Sequence, residues 1–203
     1  MTERACSELA SNERRKEELH ELILQNVEAL SFPPTEWEAL TLVEILALPR
    51  ITVKRPPEEE LLAAGMLPYD CHVNCAIQEA NDPTKRSRHV WGWLIHGSDL
   101  ILHSVIEMRG QWLCLTPQLV RAPSSFQFIP DPFIEWRETI DGDAKEAFRG
   151  GVKLPIGLRK YPEYHLRMRD QFRDLVASGM SVLDARELVD ATLGAELRKK
   201  VPI

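Results

Sequence analysis

Apolar positions along this chain repeat with two different periods, and the change of period divides it. Over the first thirty residues Leu9, Leu19, Leu22, Ile23, Val27 and Leu30 return at roughly helical spacing, while NERRKEE supplies a solvated face. SFPPTEWEAL breaks and restarts the chain; Thr35 is placed to cap a second amphipathic helix, EWEALTLVEILAL. Pro49, Pro56 and Pro57 bound an extended ITVK, predicted as a connecting strand. PEEELLAAG reads as a short helix with an acidic first turn and Gly65 at its stop. YDCHVNCAIQEA predicts one more helix and NDPTKRS a polar loop.

The period then shortens to two. HVWGWLI, LILHSVIEM and QWLCLTP read as strands joined by HGSD and RG, short glycine-containing turns of the antiparallel kind. Centring the first hairpin on Gly97-Ser98 pairs His96 with Asp99, Leu94 with Ile101 and Gly92 with His103. Centring the second on Arg109-Gly110 pairs Glu107 with Trp112, Val105 with Cys114 and His103 with Thr116. Paired residues share a face, so Gly92, His103, Cys114 and Thr116 are predicted to cluster, with Gly92 leaving an opening above the imidazole. Trp91, Trp93, Ile95, Leu102 and Leu113 take the opposite face, predicted to be buried against outer helices. The tryptophans, Trp112 included, are accordingly read as core rather than as a binding platform.

APSSFQFIPDPFIEW is proline-punctuated and extended, and it adds a further strand before DGD. From about Tyr164 the chain returns to helix: HLRMRDQFRDLVASG stops at Gly179, and Ser181 is placed to cap VLDARELVDATL. No internal repeat or low-complexity segment is present. The order predicts an α+β protein with an N-terminal helical segment (1–60), an α+β core (61–160) and a C-terminal helical hairpin (161–203), packed as one globular unit.

Composition narrows the function. Of 203 residues 44 % are hydrophobic and 28 % charged, as expected of a folded chain with a real core. A net charge of -6 gives no general reason to bind nucleic acid, leaving only a local basic patch at Lys85, Arg86 and Arg88. The helix-turn-helix layout near the C-terminus carries Asp184, Glu187 and Asp190, which repel phosphates, so it is read as an ordinary helical hairpin. RGGVKLPIG lacks the spacing of a phosphate-binding glycine loop. The polar N-terminus and the lack of a long apolar run predict a cytoplasmic protein with no membrane association. Cys6, Cys71, Cys75 and Cys114 are then expected to be thiols unless they bind metal.

Chemistry concentrates in one stretch. Asp70 is a good N-cap, which puts Cys71 at the first helical position, where unpaired amides and the dipole favour thiolate. Cys71, Asn74, Cys75 and Gln78 share a helix face, polar or small as a site lining would be. A buried helix with small, adaptable residues accounts for the same pattern. A third reading is zinc held by Cys71, Cys75, His103 and Cys114, with His72 as a further ligand, although no short C-x2-C knuckle is present.

The pieces DCHVNCAIQEA, HSVIEMRGQW and WLCLTP, over residues 67–118, resemble papain-like cysteine hydrolases, the transglutaminase-like and NlpC/P60-like members in particular. The resemblance implies a core of a central helix packed on an antiparallel meander, with helical additions at both ends. It also implies a thiol-dependent hydrolase or acyltransferase without a cofactor, acting on an amide or ester of a peptide, protein or small molecule. Cys71 would be the nucleophile, His103 the general base and Thr116, where transglutaminase-like proteins usually carry Asp, the group orienting the ring, with or without Cys114. Asn74, Gly92 and Gln78 would then line the substrate site. A non-catalytic interaction or structural protein, with or without zinc, is the alternative.

Overall fold

The hairpin of β2 (Ser87–His96) and β3 (Asp99–Met108) is the framework on which the remaining strands are laid. The computed structural model describes residues 23–25, 27–118, 122–142 and 145–203; residues 1–22 of the helix expected over the first thirty, with Cys6, lie outside them. Gly97 takes a φ of +62° at the turn, and the ladder runs unbroken from His96↔Asp99 through Gly92↔His103 to Ser87↔Met108. This is the register the turn arithmetic predicts. β4 (Gln111–Leu113) continues the meander at Glu107↔Trp112.

The meander does not stay open. β1 (Ile51–Lys54) pairs parallel with β4 at Lys54↔Leu113 and antiparallel with β5 (Ser125–Pro130), and β5 pairs with β2 over Gly92–Leu94. The order β2-β5-β1-β4-β3, with β2 returning to β3, is a closed five-stranded barrel. The α+β class therefore holds, but the expected papain-like core, a central helix on a meander, is overturned. ITVK is not a connector. Its Ile51 and Val53 alternate into the barrel interior with Val90, Leu94, Val105, Cys114, Phe126 and Phe128, and closure removes edges that an open meander would leave.

On β4 the pairing with β3 stops at Leu113, and the Cys114 N–H, which points away from β3, donates to the Lys54 carbonyl at 2.8 Å. On the far side of β3 lies β9 (Gly157–Arg159), where the Leu102 N–H donates to the Ile156 carbonyl.

Outside the barrel, Trp93, Leu100 and Ile129 pack with Leu42 and Ile45 of α1 (Glu36–Leu46). Ile134 and Ala147 join them from a small sheet of β6 (Ile134–Glu138), β7 (Lys145–Arg149) and β8 (Val152–Lys153). Asp131 fastens this layer from a fully buried position. It accepts from Trp93 Nε1 and Arg149 Nε, each at 2.9 Å, and from the Phe133 N–H. Another side of the hairpin carries α3 (Cys71–Asn81), whose Cys75 packs with Ile106, Leu115 and Leu61 of α2 (Glu58–Ala63).

The chain divides into two compact units: residues 37–158 with Ile203, described above, and the residues up to 36 with 159–202. In the second unit α4 (Pro162–Ala177) begins with proline and is closed by Gly179 at φ +95°. The Ser181 hydroxyl then caps α5 (Val182–Val189) by accepting from the Asp184 N–H. A π-helical turn at Asp190–Gly194 leads into α6 (Ala195–Arg198). Ile23, Phe172, Val182, Ala185 and Val189 form this unit's core. No helix of the described residues is long and apolar enough to cross a membrane.

Candidate functional site

Cys71 stands where the sequence places it, at the first position of α3. Asp70 caps that helix by accepting from the Val73 N–H. Its sulfur faces the main-chain N–H of Ser104 on β3. Yet the residue is only 8 % exposed, and burial pushes the thiol up to about 12 against the opposing pull of that amide. Burial likewise raises Cys75. The helix start therefore does not yield a thiolate at neutral pH: desolvation outweighs the amides.

His103 projects into the barrel, the face opposite that of Ser104, because neighbours on a strand alternate. It is 7 % exposed, with its ring edge-on to Phe126 and Phe128 and its Nε2 3.4 Å from Cys114 Sγ. Burial lowers its pKa to about 3, with smaller contributions from His72 and Arg55. Among the described residues no hydrogen bond joins Cys71 to His103.

Thr116 is buried nearby in sequence, but its Oγ1 has no partner among the described residues and does not orient the ring; Cys114 occupies that position. The cause is the departure of the chain from β3 after Leu113, which carries Thr116 away from the extrapolated pairing with His103.

The expected substrate-lining residues are engaged elsewhere. Asn74 is buried, with its Oδ1 accepting from the Leu67 N–H and its Nδ2 donating to the carbonyls of Leu67 and Leu115. Gln78 Nε2 donates to Ser87 Oγ at 3.4 Å. Gly92 leaves no opening above the imidazole. A Cβ there would stand 2.1 Å from the Ile129 carbonyl and 2.7 Å from the Phe128 ring, so glycine is what lets β5 close on β2.

The zinc alternative also fails geometrically. His103 and Cys114 look into the barrel while Cys75 packs outside it, and no group of three His, Cys, Asp or Glu side chains suited to a metal exists among the described residues.

The structure instead assembles a group that sequence reasoning missed. Ser104, fully buried, has its hydroxyl 2.6 Å from His72 Nδ1 of α3 and 2.8 Å from His89 Nε2 of β2. His72 meets Trp136 edge-on at 4.7 Å between centroids, and His89 lies 4.6 Å from Trp91. Trp136 Nε1 is buried without a partner among the described residues. Burial, then the charge of His89, lowers His72 to about 4 against a raising influence from Asp70. Burial lowers His89 against Glu79. One signal could have found the group: the register pairs Trp91 with Ser104, and His89 sits diagonally beside them on that face.

Beside this group β2 has an open edge, since β5 reaches only as far as Gly92. The main-chain groups of Ser87, His89 and Trp91 turn away from β3. Asp82 accepts from the Ser87 N–H at 2.7 Å, Glu79 from the His89 N–H at 2.9 Å, and the Trp91 carbonyl accepts from the Asp131 N–H. A cleft of about 360 Å³ runs along this edge. Its walls include Trp91, Trp112, Pro130 and Pro132, with Arg88, His89 and Asp131 as polar groups, the last already bonded to Trp93 and Arg149. The chain matches no protein-family model, and no curated protein and no solved structure is detectably similar to it.

Proposed function

We propose that the chain is a non-catalytic binding module that accepts an apolar, anionic group in the cleft beside β2. The observation that carries this reading is the cleft itself: aromatic and proline walls with a small number of polar groups, in the size range of small-ligand sites. Arg88, 62 % exposed and 6.0 Å from the Trp112 ring, holds Glu107 by one long contact of 3.4 Å, a weak pair at the surface that a negatively charged occupant can replace. The neutral, buried state of Cys71 and His103 supports the non-catalytic half of the reading. 8-Anilinonaphthalene-1-sulfonate, an aromatic anion, is the probe. Saturable one-to-one binding that is weakened at least tenfold by Arg88→Glu and abolished by filling the cleft with Pro132→Trp is expected. Equal binding to all three proteins would overturn the assignment.

Thiol-dependent acyl transfer at Cys71 is a second reading, favoured by one observation: the Ser104 N–H directed at the sulfur, one residue from an imidazole. Iodoacetamide separates the two at pH 7.5. Rapid alkylation of Cys71 that is lost on His103→Ala supports transfer chemistry, and alkylation slower than that of a free thiol supports the binding module.

A further inference from the structure

Ser104 is gripped from two elements at once, and both grips depend on protonation state. Its hydroxyl carries one hydrogen. With both rings neutral, that hydrogen goes to one ring nitrogen, and the other ring donates its N–H to the oxygen. A proton added to the accepting ring turns both ring nitrogens into donors. The hydroxyl hydrogen is then left without an acceptor at a fully buried position, and a further proton sets two cations about one oxygen. The same residue holds Cys71, through its main-chain N–H, so the first turn of α3 is fixed to β3 at one point by two consecutive residues.

We infer that His72, Ser104 and His89 form a proton-operated latch: at neutral pH it seats the first turn of α3 on β3, and protonation of the imidazoles frees that turn and uncovers Cys71. The groups that bear on the latch come from every element around it. Asp70 caps α3 and Glu79 lies in its last turn, His89 lies on β2, His103 on the inner face of β3, and Trp136 on β6. The two carboxylates oppose release by favouring imidazolium in place. Glu79 is exposed and committed to the His89 N–H, and Asp70 to the Val73 N–H. Trp136 and Trp91, in contact with the rings, report the event, since imidazolium quenches indole fluorescence.

The closed state binds its proton on His72 near pH 4 and a freed ring near 6.5, so the released population rises about 30-fold between pH 7.5 and 5 from that ring alone.

The full chain is labelled with 2,2′-dithiodipyridine, which reacts with thiols in acid as well as at neutral pH, and the mixed disulfides are located by mass spectrometry of peptides. Expected is a rise of about 30-fold or more in Cys71 labelling from pH 7.5 to 5, corrected for the reagent's rate on an unfolded Cys71 peptide. Cys75 and Cys114 should stay protected. Ser104→Ala should label quickly at both pH values, and His72→Phe with His89→Phe should abolish the rise. An unchanged Cys71 rate in the native chain overturns the latch. So does simultaneous exposure of all three thiols, which marks unfolding of the whole unit. If the double variant does not fold, His72 and His89 ring NMR titrations of the native chain decide: rings titrating together with the Trp fluorescence change support the latch, and rings titrating independently of it overturn it.

Discussion

Acid should weaken the barrel from within, and His103 sets the amount. Its folded-state pKa of about 3 lies below the ordinary 6.5, so between those values the unfolded chain holds a proton that the folded chain refuses. Stability is then complete above about pH 7 and falls as the pH drops below 6.5, the direction required when the unfolded state binds more protons. From pH 7 to pH 5 the loss from this ring is about 2 kcal/mol, and it approaches about 5 kcal/mol near pH 3. Against a total of about 5–15 kcal/mol for a domain, that is a large fraction. Urea unfolding followed by tryptophan fluorescence at pH 7 and pH 5 measures it in the native chain and in His103→Leu. The substitution lowers stability at both pH values by disturbing the contacts with Phe126, Phe128 and Cys114, but it removes the titrating ring. The pH-dependent loss should therefore shrink by about 2 kcal/mol in the variant. Equal losses in the two proteins would refute a neutral, sealed imidazole. Holding the pH at 5 or above keeps Asp82 out of the measurement; hydrogen bonds from Thr84 and Ser87 hold its carboxyl well below the usual range, so its contribution is lost only in stronger acid.

Four further outcomes test the packing. Asp131→Ala leaves Arg149 Nε and the Trp93 indole N–H without their acceptor and should cost about 3–5 kcal/mol in thermal unfolding. Glu44→Ala, removing the exposed partner of the same arginine, should cost less than about 1 kcal/mol. Gly92→Ala drives a methyl into the Ile129 carbonyl and should cost about 3 kcal/mol or more, with amide exchange rising first at the β2–β5 seam. Asn74→Ala removes three hydrogen bonds from a buried amide and should cost about 2–3 kcal/mol, read as a lower urea midpoint with unchanged slope.

The hairpin registers were legible because a two-residue turn fixes every pair beyond it, and Gly97 and Gly110 mark both turns. The barrel was not. β1 meets its partners β4 and β5 some sixty to seventy-five residues away, and no local pattern in ITVK names them. Gly92 shows the same limit: its lack of a side chain is visible in the sequence, but whether the space is empty or filled depends on β5. The helix start at Cys71 was legible from Asp70, whereas the state of its thiol depended on burial by β3. Cys114 stands beside His103 in place of Thr116 because the β3–β4 ladder ends at Leu113, and nothing local in WLCLTP marks that end. The Ser104 group required the helix to be placed on the sheet, which spacing alone does not do.

The carboxylates of Asp82 and Glu79 on the open margin of β2 bear on how the chain meets its neighbours in a crowded solution. A foreign strand seeking to extend the barrel wall there finds both outward amides already taken by acids, and it must evict negative charge before its first ladder rung can form. Two side chains that contribute little to any interior thus guard this seam, and neutralising both should turn it into a template for self-association.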